Sequence, residues 1–183
     1  MNDRISVLLS VGIPAVISII GFLLTIFTLK KEFQNELVKQ KANVQLEKMS
    51  TMPYEILELM QNMIDSGKNP SRALQEKLKA KMDRVFSTIY AYGTATSIHI
   101  LAAMQSENYQ NISASQEVNR YRMMAFYVLL TVQIRTDITG EVVSPEEWFK
   151  MKITDFQDNR DLFRATNNEL VNELNLNRQY LMQ

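Results

Sequence analysis

Residues Ile5 to Leu29 form an unbroken uncharged run, ISVLLSVGIPAVISIIGFLLTIFTL, which limits the possible folds more than any other feature. As a helix its 25 residues reach about 37 Å at about 1.5 Å per residue, against a hydrocarbon core about 30 Å thick. The run is therefore expected to cross a bilayer with some tilt. A cleaved signal peptide is the competing reading. Its apolar stretch spans about 7–15 residues and ends in a small-residue cleavage site. Here the run closes on Phe27-Thr28-Leu29-Lys30 without such a site, which favours a retained signal-anchor.

Flanking Lys and Arg set the expected orientation. Arg4 alone precedes the run, whereas Lys30, Lys31, Lys39, Lys41 and Lys48 follow it. The N-terminus is expected outside and residues 30–183 in the cytoplasm, as a single-pass membrane protein. On that reading the Asn111-Ile112-Ser113 glycosylation sequon is idle.

Within the run the small and hydroxyl residues recur every three or four positions. Ser6, Ser10, Pro14, Ser18, Gly21 and Thr25 fall on one side of a helix. Such a stripe is a candidate transmembrane packing face, because small residues allow close approach and hydroxyls can bond across the contact. The alternative is that the hydroxyls bond back to their own helix and Pro14 merely bends it.

The remainder reads as all-α. Five Gly and four Pro among 183 residues are few, and Leu, Met, Glu, Gln, Lys and Ala favour helix. One helix is expected from Lys30 to about Ser66, interrupted at Pro53 with Thr51 or Met52 at the boundary. A second runs from Ser71 to about Tyr92. Gly93 is expected to close it in the left-handed conformation and Thr94 to cap the next, the alternative being one continuous helix. Ser113 with Gln116 forms a capping-box pattern ahead of a helix reaching about Thr136. The β-branched alternation of residues 131–143 keeps a β-hairpin in play there. Ser144-Pro145-Glu146-Glu147 is a strong helix start, and Thr154 with Gln157 suggests a further one in line. The expected organisation is a tail at 1–4, a transmembrane helix at 5–29, a juxtamembrane helix at 30–52 and a bundle-like helical domain of four to five helices at 53–183.

Catalytic patterns are sparse. The chain has no Cys, so thiolate chemistry and disulfides are excluded. Twenty Lys and Arg balance twenty Asp and Glu, so no net field draws a phosphate backbone and nucleic acid is not expected as a partner. His99 is the one histidine and is expected to pack against apolar neighbours. No phosphate-binding Gly loop or nucleophile elbow is present. Asp155, Asp158 and Asp161 recur every third residue, as on aspartate-rich helices that bind Mg²⁺, but Arg160 and Arg164 lie among them and a solvated charged face is favoured. Met49, Met52, Met60 and Met63 follow helical spacing and are expected to fill core rather than bind a soft metal or a peptide.

No catalytic, cofactor-binding or metal-binding residue is expected, and no cofactor. The leading functional expectation is a membrane-anchored interaction or scaffold protein that presents a cytosolic surface. Its partners would be the lipid bilayer and another protein, or a second copy in a weak homo-oligomer. A membrane-active effector that oligomerises through its transmembrane helix is the second reading. A metal-dependent enzyme built on the aspartate-rich helix is the third.

Overall fold

The computed structural model describes the backbone of residues 2–68, 71–114 and 119–183, and the side chains of 21–66, 71–111 and 119–183. Among the described residues there are seven α-helices, one 3₁₀ turn and no strand. The helices are α1 (Asn2–Met49), α2 (Met52–Lys68), α3 (Arg72–Tyr92), α4 (Ala95–Ala114), α5 (Arg120–Thr139), α6 (Pro145–Lys152) and α7 (Arg160–Glu173), followed by η1 (Arg178–Tyr180). They divide between two compact units, Met1–Val44 and Gln45–Gln183.

The first unit holds α1 as far as Val44, helical through Pro14 and through the charged stretch beyond Leu29. Its described side chains are all exposed, large apolar ones included. No helix among the described residues is long and apolar enough to cross a membrane. The side chains of residues 5–20, most of the proposed span, lie outside the described residues.

The second unit is organised around α5. Ten consecutive residues, Ala125 to Ile134, are buried, because α2, α4, α6 and α7 all pack against this one helix. A helix covered on every side needs no polar face, so its sequence has no amphipathic stripe. That explains the ambiguity of residues 131–143. Their β-branched side chains suit a strand, but burial among helices overrides the propensity. The chain stays helical to Thr139, three residues beyond the expected end, and stops at Gly140, whose φ of 73° and N–H bond to the Thr136 carbonyl make a left-handed cap. The hairpin does not form.

α2 supplies the amphipathic partner. Met52, Ile56, Leu59 and Met60 form its buried stripe. Met49 is also buried, so three of the four spaced methionines fill core as expected, whereas Met63 is 41 % exposed. The break between α1 and α2 falls at Ser50-Thr51, just ahead of Pro53.

The α3–α4 break is real, but its chemistry differs from expectation. Gly93 has φ −74°, outside the left-handed region. Glycine is required there because an added Cβ would stand 2.5 Å from the Ile89 carbonyl oxygen. Thr94 does cap α4, accepting from the Ser97 N–H at 3.3 Å. Ser113 does not start a helix, since it lies within α4. Asn119 caps α5 instead, its Oδ1 accepting from the N–H groups of Tyr121 and Arg122. Gln116 lies outside the described residues.

The C-terminal arm begins as expected, with Ser144 capping α6 and Pro145 in its first turn. Thr154 and Gln157 cap nothing. They sit in the turns between α6 and α7, and α7 follows Asn159. Six helices therefore follow α1, where four or five were expected. Phe149, Phe156 and Phe163 pin the arm to the core, with Phe149 and Phe163 ring centroids 4.7 Å apart. Beyond α7 the chain is held by side-chain amides. Asn167 donates to the Tyr180 carbonyl at 2.8 Å, and Asn168 both donates to the Met182 carbonyl and accepts from its N–H.

Candidate functional site

Two polar clusters, partly exposed, tie helices of the bundle together. Arg122 on α5 reaches Glu107 on α4 at 2.7 Å, and Glu173 and Glu169 on α7 at 2.6 and 3.4 Å. Burial pulls the guanidinium pKa down, but the bonds from Glu173 and Glu107 outweigh it, and the net shift is upward. Asp137 on α5 accepts from the hydroxyls of Thr94 and Ser97 at 2.7 and 2.8 Å and from Gln133 at 2.7 Å. The Arg122 cluster pairs charges across three helices, whereas the Asp137 carboxylate is held by neutral donors alone.

An open cleft of about 550 Å³ lies elsewhere on this unit. Met60, Met63 and Ile64 of α2 form one wall, and Tyr121, Met123, Met124 and Tyr127 of α5 form another. Ile153 and Phe163 complete the apolar lining, while Asn108, Arg120 and Asp155 add polar groups. The volume is within the range of small-molecule sites, about 300–1,000 Å³. Tyr127 is buried beneath it, and its hydroxyl donates to the Met63 sulfur at 3.1 Å. Desolvation pushes its pKa up to about 12.

The residues singled out in the sequence are scattered. Of the stripe on α1, Ser6, Ser10, Pro14 and Ser18 lie outside the described side chains. Thr25 donates its hydroxyl to the Gly21 carbonyl at 2.8 Å, and Thr28 does the same to Leu24 at 3.0 Å, the local satisfaction that competes with cross-helix bonding. An added Cβ at Gly21 would meet nothing within 4 Å. His99 is exposed on α4, not packed in the core. Ile98 and Ile100 turn inward while His99 faces water, because a helix rotates successive side chains by about 100°.

The aspartates are not on one helix. Asp155 and Asp158 lie in the turns between α6 and α7, and Asp161 opens α7, where it pairs with Arg164 at 2.9 Å. All three are exposed, and only Asp155 borders the cleft. No group of three metal-ligating side chains is found among the described residues. The three carboxylates therefore do not share the one helical face expected of them.

Sequence reasoning missed Arg122, Tyr127 and the Met123-Met124 pair. An Arg just ahead of the buried apolar run of α5 was too weak a signal, because Arg120 near it is exposed. The cleft had none, because α2 and α5 meet only through tertiary packing. The chain matches no protein-family model, no curated protein and no solved structure at a significant level.

Proposed function

We propose that the protein is a membrane-anchored helical interaction module. Residues 5–29 form a single-pass signal-anchor, the N-terminus lies outside, and residues 30–183 present their surface to a cytosolic protein partner. The observation that carries this reading is the apolar exposure of α1: Phe22, Leu24 and Phe27 are 66, 63 and 70 % exposed. Leaving such a side chain in water forgoes about 1.5–3 kcal/mol of burial. A contiguous patch of them marks a surface covered by something else. The uncharged sequence continues upstream to Ile5, so a bilayer is the cover that suits the whole run.

Weak self-association through Ser6, Ser10, Pro14, Ser18, Gly21 and Thr25 belongs to the same proposal. The open space around Gly21 favours close approach of a second helix. The back-bonded Thr25 makes packing, rather than hydroxyl exchange, the source of that affinity. A membrane-active effector needs this association to be strong, which the same back-bonding argues against.

Alkaline carbonate extraction tests the anchor. The full chain should stay with the membrane pellet, and a chain lacking residues 5–29 should appear in the supernatant. Release of the full chain by carbonate would overturn the reading.

A further inference from the structure

We infer that the methionine-lined cleft between α2, α5 and α7 holds a single-chain amphiphile with a zwitterionic, phosphocholine-type head. The cleft belongs wholly to the unit Gln45–Gln183, so the inference does not require the anchor. Its lining is dominated by Met and aromatic side chains, and thioethers adapt to a flexible alkyl chain better than branched residues do. A polar metabolite would lose its hydration there without enough partners in return.

The few polar groups discriminate among amphiphiles. Arg120 and Asp155 both border the cleft but are held by different neighbours. The Arg120 guanidinium lies 5.7 Å from the Tyr121 ring centroid, and the Asp155 carboxylate accepts from Asn159 at 3.1 Å. A purely anionic head would meet repulsion from Asp155, and a purely cationic one from Arg120. A phosphocholine offers its phosphate to Arg120 and its ammonium to Asp155 and the nearby aromatic faces. The Tyr127 hydroxyl is a further donor on the α5 wall. Its present acceptor is a thioether sulfur, a weak one, so an ester or phosphate oxygen would be the better partner.

The test is photolabelling of the full chain in vesicles with lysophosphatidylcholine carrying a diazirine in its acyl chain, adducts being mapped by peptide mass spectrometry. Adducts are expected on the peptides holding Met60–Ile64 and Met123–Tyr127. Lysophosphatidylglycerol and an uncharged monoacylglycerol with the same chain should label these peptides less. Arg120→Gln should lower phosphocholine labelling about tenfold, and Leu162→Lys, outside the cleft, should leave it unchanged. Arg120 is exposed, so the variant should fold, and circular dichroism verifies it. Adducts confined to residues 5–29, equal labelling by the three heads, or no effect of Arg120→Gln in the folded chain would overturn the inference. Flotation of the vesicles reports the anchor separately, so failure of one reading is distinguishable from failure of the other.

Discussion

The Arg122 guanidinium on α5 and the Glu173 carboxylate on α7 meet at 2.6 Å, and the same guanidinium holds Glu107 of α4 at 2.7 Å. One largely buried cation thus ties three helices that are distant in sequence. Arg122→Ala should destabilise the bundle by about 2–3 kcal/mol, because Glu107 is left half-buried without its partner. Glu169→Gln should cost under about 0.5 kcal/mol, since that side chain is 68 % exposed and its pair is screened. Urea denaturation of the two variants, followed by circular dichroism, measures both.

Phe149→Ala should cost about 3–5 kcal/mol, the usual loss for a fully buried ring. Phe149 has no exposed surface and is in ring contact with Trp148, Phe156 and Phe163. Met151→Ala, two residues away but 73 % exposed, should stay within about 0.5 kcal/mol of wild type.

Gly140 and Gly93 should respond to alanine for different reasons. At Gly140 the left-handed φ of 73° is the whole penalty, about 1–2 kcal/mol, because nothing lies within 4 Å of the new methyl group. At Gly93 the backbone is ordinary but the methyl group collides with the Ile89 carbonyl oxygen at 2.5 Å. Gly93→Ala should therefore cost more than Gly140→Ala, measured by thermal melts of both.

Tyr127 gives the bundle an alkaline limit. Its phenol has a folded-state pKa of about 12, against an ordinary value near 10. The folded state therefore holds the proton more tightly than the unfolded state. The stabilisation is fully present below about pH 10 and is lost as pH rises from there through about 12, at up to about 1.4 kcal/mol per pH unit. Tyr127→Phe should remove this part of the slope. The wild-type curve should fall more steeply than the variant's over that window, and parallel curves would contradict the burial of the hydroxyl.

The helical class, the breaks at Pro53 and Gly93, and the Ser144-Pro145 start were all legible in the sequence, because caps and prolines act through local geometry. The register of α5 was not. A helix buried on all sides loses the periodic polar face that announces a helix, and Thr131-Val132 through Ile138 then resemble a strand. His99 was misjudged because flanking isoleucines say nothing about which way the residue between them points. The cleft was invisible for a stronger reason: Met63 and Tyr127 touch across 64 positions of sequence.

The proposed anchor puts the N-terminus outside and the helical unit in the cytoplasm. The chain has no native Cys, so a single introduced thiol reports its own side of the membrane without background. Asn2→Cys and Gln183→Cys are to be probed in intact cells with a membrane-impermeant maleimide, and again after the membrane is opened. Labelling of Asn2→Cys is expected in intact cells, and of Gln183→Cys only after opening. Labelling of Gln183→Cys in intact cells, with Asn2→Cys protected, would contradict it.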